Sequence, residues 1–153
     1  MDFKGALDSV DHDILWAKLQ KVGLSTKFIN IVSRLYSKAN VKVSDGKINT
    51  IPIDLTRGVL QGETLSILLF ALFIYDLEKF LLRNNIRGVW VTHLLEILLL
   101  AYADDIAILS DSYIGMKKIL EYLSKYCLIN KLTINVKKTK IVLFQKKGHG
   151  HKQ

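Results

Sequence analysis

Two stretches near the start of the chain carry apolar residues at helical spacing. In residues 11–22 the apolar positions 15, 19 and 22 lie on one face, early Asp residues suit a helix N-terminus, and Gly23 ends the pattern. Ser25 is a suitable N-cap for a second helix that runs to about Ser37. The inward face of this second helix is predicted to carry five residues: Phe28, Ile29, Val32, Leu35 and Tyr36.

The middle of the chain predicts a hairpin followed by a long buried helix. Val41 and Val43 alternate with polar neighbours, and the Asp45-Gly46 pair is a strong hairpin turn signal. Residues 51–53 supply the returning strand, on a sheet edge because the proline within it cannot donate a hydrogen bond. From residue 64 to about residue 82 the chain is apolar on nearly every side, a pattern typical of a buried helix.

The second half of the chain predicts strands around one further helix. Residues 89–100 and 106–109 are apolar runs typical of strands, and two short strands are predicted near residues 132–134 and 141–144. Residues 111–128 are amphipathic, and their inward face is predicted to hold Met116, Ile119, Leu120, Leu123 and Tyr126. This order of elements indicates the α+β class, with helices packed on one face of an antiparallel sheet.

Two adjacent carboxylates interrupt the most apolar segment of the chain, residues 98–109. The flanks are typical of strands, so Asp104 and Asp105 fall at the turn of a hairpin. Burying charge in such surroundings is costly unless it is compensated, and hard divalent cations such as Mg²⁺ prefer carboxylate oxygens. Asp also suits tight turns for purely conformational reasons. The residues of this segment alone leave both interpretations open.

Composition and charge narrow the range of partners. The chain has 153 residues, half of them hydrophobic, which is the length of one domain with a sizeable core. Its net charge is +8, from 22 Lys and Arg against 14 Asp and Glu, and the excess is concentrated after residue 136. Such a balance favours polyanionic partners. We expect residues 1–145 to form the domain and residues 146–153 to be a flexible basic tail.

The cellular compartment can also be predicted. A single cysteine, Cys127, excludes an intramolecular disulfide and fits a reducing compartment. The longest apolar run is too short to span a bilayer, and because the first residues lack the pattern of a charged segment followed by an apolar one, we expect no signal peptide. We therefore expect an intracellular protein, cytoplasmic or nuclear, with no membrane partner.

Four blocks occur in the order that is typical of reverse transcriptases. Residues 2–12, DFKGALDSVDH, resemble the family's Asp-Phe-x-x-Ala-Phe-Asp-x-Val-x-His, and residues 57–70, RGVLQGETLSILLF, resemble Arg-Gly-Val-x-Gln-Gly-x-x-Leu-Ser-Pro-x-Leu-Phe. Residues 102–105, YADD, look like the catalytic signature, and residues 132–140, LTINVKKTK, resemble the Asn-x-x-Lys-Thr block. The pattern is most similar to the polymerases of non-LTR retrotransposons.

The resemblance implies a polymerase palm that performs template-directed nucleotidyl transfer. The implied partners are an RNA template, a DNA primer and deoxynucleoside triphosphates, and the implied cofactor is Mg²⁺ or Mn²⁺ in a two-metal mechanism. The implied metal ligands and catalytic carboxylates are Asp2, Asp104 and Asp105, and Lys138 is the implied catalytic lysine near the leaving pyrophosphate.

The remaining implied site residues contact substrates. Nucleotide contacts are implied at Leu7, Gln61, Gly62 and Tyr102, and nucleic-acid contacts at Arg57, Lys137 and Lys140. Alternatives stay open for three of the blocks. Asp8 either rivals Asp2 as a ligand or caps the following helix, Arg57 either supports its loop or contacts phosphate, and Lys138 has two basic neighbours.

Three departures from the family pattern bear on activity. Leu7 replaces the aromatic residue that packs under the incoming sugar in the family, Ile67 replaces a proline, and Leu60 stands where a basic or polar residue is common. The family's fingers and thumb are not among the blocks, so we expect a palm fragment that does not polymerise alone. The alternatives are a non-catalytic relic that at most binds nucleic acid, and another palm-fold nucleotidyl enzyme.

Overall fold

A computed structural model of the chain describes residues 1–41, 51 and 53–144, and it shows a mixed α+β fold, which confirms the predicted class. Its elements in chain order are a 3₁₀ turn (Leu7–Ser9), α1 (His12–Val22), α2 (Thr26–Ser37), β1 (Asn40–Val41), β2 (Ile53–Asp54), α3 (Thr64–Ile74), α4 (Leu77–Arg83), β3 (Val89–Thr92), β4 (Leu95–Ile97), β5 (Leu99–Tyr102), β6 (Asp105–Ile108) and α5 (Tyr113–Ile129). In this part of the chain the strands pair antiparallel as β1–β2, β3–β4 and β5–β6.

The first two helices begin and end where the sequence predicts. The Asp11 carboxylate accepts a hydrogen bond from the Ile14 N–H at 3.2 Å, and Gly23 ends α1 in the left-handed region at φ +94°. The Ser25 hydroxyl caps α2 in the same way. The predicted inward face of α2 is too wide, because Phe28 and Leu35 are 38% and 61% exposed while Val32 and Tyr36 are buried.

The predicted helix over residues 64–82 is two helices, α3 and α4, separated at Tyr75 and Asp76. The cause is Lys18 of α1, which is only 5% exposed. Its ammonium donates to the Phe73 carbonyl at 2.7 Å and to Asp76 Oδ1 at 2.6 Å. In an uninterrupted helix that carbonyl would accept from the N–H four residues later. The Lys18 ammonium therefore takes the Phe73 carbonyl as its acceptor at the point where the helix would otherwise continue.

The same ion pair joins a third helix. The Tyr126 hydroxyl of α5 donates to Asp76 Oδ1 at 2.6 Å and accepts from Lys18 Nζ at 3.0 Å. Burial lowers the pKa of Lys18, although its hydrogen bond to Asp76 opposes this shift. Burial, together with the Asp76 carboxylate, raises the pKa of Tyr126. The network thus ties α1, the α3–α4 junction and α5 around one compensated charge.

Several other boundaries differ from the sequence prediction. The strand predicted over residues 89–100 is divided among three strands. The chain turns at residues 93–94, between β3 and β4, and is interrupted again at Leu98, between β4 and β5. The strand near residues 132–134 is reduced to a single bridge between Phe3 and Ile134, and residues 141–144 are exposed and not in a strand. The predicted Asp45-Gly46 turn and the predicted tail at residues 146–153 lie outside the described residues.

The core lies between the helices and the strands that carry the first and third blocks. The largest side chains that are fully buried include Phe3, Phe70, Phe73, Leu15 and Tyr126. Phe3 packs edge-on against Phe70, with ring centroids 6.1 Å apart. Two of the apolar residues of α3, Ile67 and Leu68, are about half exposed, so α3 is not buried on every side. None of the helices within the described ranges is long and apolar enough to cross a membrane.

The ion pair gives a stability prediction. Asp76→Ala should lower the free energy of unfolding by about 2–4 kcal/mol, because the Lys18 ammonium stays buried without its carboxylate. The control is Glu121→Ala, which removes the exposed partner of Lys125 in α5 and should leave stability nearly unchanged. Urea unfolding of both variants measures the difference. An equal decrease in both variants would contradict the role assigned to the buried pair.

Candidate functional site

The two adjacent carboxylates lie at the tip of the β5–β6 hairpin. The register pairs Leu99 with Ile108 at one end and Tyr102 with Asp105 at the other. Ala103 and Asp104 form the connection, and Ala103 adopts a left-handed φ of +53°. The hairpin turn predicted at Asp104 and Asp105 is confirmed, with Asp104 in the turn and Asp105 opening β6.

Residues 1–4 run beside β6 and pair with it through the backbone of Met1. The Met1 ammonium donates to the Ile106 carbonyl at 2.5 Å, and the Ile106 N–H donates to the Met1 carbonyl at 3.2 Å. Two residues that exchange both bonds face each other directly in an antiparallel pair. Asp2 is therefore opposite Asp105, and side chains of opposite residues share one face. The first and third blocks, which are distant in the sequence, meet here.

The fourth block pairs with the other edge of residues 1–4, at the bridge between Phe3 and Ile134. The Asn135 N–H donates to the Asp2 carbonyl at 2.9 Å, and the Lys4 N–H donates to the Thr133 carbonyl at 2.7 Å. The Asp2 carboxylate is about 20% exposed, and its Oδ2 accepts from Asn135 Nδ2 at 3.0 Å. The Lys138 ammonium lies 4.0 Å from the same oxygen. Two residues that the resemblance placed in the catalytic set, Asp2 and Lys138, are thus brought together.

The carboxylates of the hairpin tip are exposed to solvent. Within the described part of the chain, neither Asp104 nor Asp105 makes a side-chain hydrogen bond or ion pair. The same part contains no group of three or more His, Cys, Asp and Glu side chains close enough to hold a metal ion. The carboxylates of Asp2, of Asp105 and of Asp104 in the turn nevertheless supply the oxygen ligands that a hard divalent cation prefers, and Asp2 and Asp105 share a face. The type of these ligand atoms, carboxylate oxygens, therefore suits Mg²⁺ or Mn²⁺.

The second block docks on the first through its backbone. The Gly58 N–H donates to the Val10 carbonyl at 2.8 Å, and the Val59 N–H donates to the Leu7 carbonyl at 2.9 Å. The His12 Nε2 donates to the Gly58 carbonyl at 2.7 Å. Gly58 adopts φ +88°, and a Cβ there would lie 3.0 Å from the Asp8 Cα. Glycine is needed at this position both for the conformation and for the close approach.

Asp8 does not have the role expected for it as a helix cap. Asp11 caps α1 instead, and Asp8 Oδ1 accepts a hydrogen bond from Gln61 Nε2 at 2.8 Å. The reason is the 3₁₀ turn over Leu7–Ser9, which places Asp8 before the helix and beside the second block. Gln61 and Gly62, the latter at φ +88°, precede α3 as exposed residues.

Arg57 supports its loop in this structure. Its Nε donates to the Ser9 carbonyl at 2.9 Å, and its Nη2 donates to the Lys131 carbonyl at 2.5 Å. Lys131 in turn contacts the Asp11 carboxylate at 2.7 Å, and this hydrogen bond lowers the pKa of Asp11. The first and second blocks are therefore both connected to Lys131, the residue just before the fourth block.

The other residues implied by the resemblance differ in exposure. Leu7 is half-buried and packs against the core, whereas Tyr102 is 86% exposed. Lys137 and Lys140 are exposed on the segment that contains Asn135. Sequence reasoning missed Asn135 and Thr139 as contacts of Asp2, although both stand in the fourth block. The available signal was the Asn-x-x-Lys-Thr spacing itself, of which only the lysine was assigned.

Comparisons with known proteins confirm the resemblance. The family model described as reverse transcriptase (RNA-dependent DNA polymerase) matches residues 1–152. The transposon TX1 uncharacterized 149 kDa protein of Xenopus laevis is 30% identical over 142 residues, which is 91% of this chain and 11% of that protein. A retrovirus-related Pol polyprotein from type-1 retrotransposable element R2 of Popillia japonica is 28% identical over 142 residues, which is 91% of this chain and 20% of that protein.

A second polyprotein of the same description, also of Popillia japonica, is 26% identical over 138 residues, which is 90% of this chain and 23% of that protein. The chain therefore spans between 11% and 23% of the length of these three relatives. All three are proteins of transposable elements by their descriptions.

The docking of the second block gives a matched pair of variants. Gly58→Ala and Gly62→Ala both force alanine into φ +88°, which costs about 1–2 kcal/mol at either position. Only Gly58→Ala also presses a methyl group against the Asp8 backbone, since nothing lies within 4 Å of a Cβ at Gly62. Thermal unfolding should show the larger destabilisation for Gly58→Ala. A larger destabilisation for Gly62→Ala would mean that the block is docked differently.

Proposed function

Because this chain belongs to the reverse transcriptase family, we propose that it is the palm of an RNA-directed DNA polymerase, performing template-directed nucleotidyl transfer within a protein of a non-LTR retrotransposon. The observation that carries this proposal is the strand pairing that sets Asp2 opposite Asp105 at the tip of the β5–β6 hairpin. The partners would be an RNA template, a DNA primer and deoxynucleoside triphosphates.

The proposed metal ligands are Asp2, Asp104 and Asp105. Bound Mg²⁺ or Mn²⁺ would stabilise the attacking and leaving oxygens of an in-line phosphoryl displacement. Asp2 is the most firmly held of the three, because its backbone N–H and carbonyl both bond to the fourth block and its carboxylate accepts from Asn135. Asp105 shares its face, and Asp104 projects from the turn between β5 and β6.

Lys138 supplies the positive charge of the proposed site. Its ammonium is 4.0 Å from Asp2 on a side chain that is 75% exposed, so it can reach a phosphate bound beside that carboxylate. There it would donate a proton to the leaving pyrophosphate or neutralise the charge that develops on it. Lys137 and Lys140, on the same segment, would contact backbone phosphates, and the net charge of +8 supports a polyanionic partner.

The nucleotide would lie between the first and second blocks. Leu7 is half-buried where those blocks meet, and Gln61 is held by Asp8 at the same junction. Gly62, just before α3, allows close approach of a ligand to the backbone, and Tyr102 is an exposed ring at the hairpin tip. Arg57 would act by holding this junction, because two of its N–H groups donate to backbone carbonyls.

A second candidate is a chain that binds nucleic acid without catalysis. Two observations favour it: the described residues do not gather three carboxylates closely, and Leu7, Leu60 and Ile67 depart from the family pattern. Metal binding separates the two candidates, since only the first requires the carboxylates to act together.

The first prediction concerns those carboxylates. Asp104→Asn should weaken Mn²⁺ binding to the 153-residue chain by tenfold or more, about 1.4 kcal/mol, because a neutral amide is a poorer ligand for a hard cation. Asp111→Asn, which replaces an exposed carboxylate just before α5, should leave the affinity unchanged. Isothermal titration calorimetry measures both. Equal affinities in the two variants would favour the non-catalytic candidate.

The second prediction concerns nucleic-acid binding. Replacing Lys137 and Lys140 by alanine should make the log–log salt dependence of duplex DNA binding shallower by about 0.9 for each phosphate that the protein no longer neutralises. The control replaces Lys117 and Lys118, an equal number of exposed lysines on α5. Fluorescence anisotropy at several salt concentrations gives both slopes. The same change of slope in both double variants would show that the lysines near Asp2 contact DNA phosphates no more than the lysines of α5 do.

A further inference from the structure

We propose that Asn135 is a positioning residue that fixes the carboxylate of Asp2 for metal binding, an inference that rests on the proposed function. Its side chain donates from Nδ2 to Asp2 Oδ2 at 3.0 Å. Unlike Lys138, which faces the same oxygen at 4.0 Å, an amide orients the carboxylate without neutralising it. The contact from Asn135 therefore brings no positive charge that would compete with a cation for Asp2.

Asn135 is itself held by five hydrogen bonds. The Lys138 N–H donates to the Asn135 backbone carbonyl at 3.1 Å and to its Oδ1 at 3.4 Å. The same backbone carbonyl accepts from the Thr139 N–H at 2.8 Å. Its backbone N–H donates to the Asp2 carbonyl at 2.9 Å. With Nδ2 on Asp2, each donor and acceptor group of the residue has a partner. The amide cannot turn without breaking a bond, so its direction is fixed by the fold.

Thr139, in the same turn as Asn135, also bonds to Asp2. Its Oγ1 accepts from the Asp2 N–H at 3.3 Å. The turn over residues 135–139 thus contacts the backbone N–H, the backbone carbonyl and the carboxylate of one residue. Partners that orient a metal ligand without touching the metal are worth about 10–100-fold in metal affinity. The fourth block therefore contributes the orientation of Asp2 to the proposed site, in addition to the charge of Lys138.

The contact can be tested without metal. In ¹H–¹⁵N spectra of the 153-residue chain, the side-chain amide signals of Asn135 should shift in Asp2→Ala and stay in place in Asp8→Ala. The side-chain amide of Gln61 should respond in the opposite way, because its acceptor is Asp8. Each variant thus serves as the control for the other. Unmoved Asn135 signals in Asp2→Ala would overturn the proposal.

The consequence for metal is tested by Mn²⁺ titration. Asn135→Ala should weaken binding by about 10–100-fold. Asn84→Ala removes an amide of similar exposure, which donates to the Phe80 carbonyl at the end of α4, and should not change the affinity. If Asn135→Ala does not fold, Asn135→Ser, which is too short to reach Asp2, replaces it.

The outcomes separate this inference from the proposed function. Weaker binding in Asp2→Ala with unchanged binding in Asn135→Ala would overturn the positioning role alone. Unchanged binding in Asp2→Ala would overturn the metal assignment of the proposed function, and the positioning role with it. Weaker binding in both, with Asn84→Ala unaffected, is the result that the geometry requires.

Discussion

The pairing of residues 1–4 on both edges is the constraint on which the candidate site depends. Met1 exchanges two hydrogen bonds with Ile106 on one side, and Phe3 bridges to Ile134 on the other. Phe3 is buried against Phe70, so the alternation of a strand turns Asp2 toward the opposite face. A slip of one residue would bury the carboxylate and expose the ring, and this cost fixes the register.

Much of the fold could be predicted from hydrophobic spacing and caps, because those signals are local. The bounds of α1 and α2 and the β5–β6 hairpin follow from such patterns. The break between α3 and α4 could not be predicted, since its cause is Lys18, which lies 58 residues before Asp76 in the chain. A lysine within an amphipathic helix is normally solvated, and only the fold shows that this one is buried.

For the candidate site too, the sequence predicted some residues, whereas some contacts are visible only in the fold. Motif position identified Asp2, the Asp104-Asp105 pair and Lys138, and the structure brings Asp2 beside both Asp105 and Lys138. Spacing could not show that Asp8 binds Gln61, because that contact joins positions 53 residues apart. Nor could it show that Asn135 orients Asp2 across 133 residues. The catalytic use of these residues is a proposal.

We propose that Asp2 and the hairpin tip form one metal site. Paramagnetic broadening can test this: Mn²⁺ is added to the ¹⁵N-labelled chain at substoichiometric amounts, and the backbone amide signals are followed. If the carboxylates bind one ion, the signals of Asp2, Asp104, Asp105 and Asn135 broaden first and together, and Asp2→Asn abolishes this broadening. Broadening confined to Asp104 and Asp105, or appearing first at Asp76 or Asp111, would contradict the proposal.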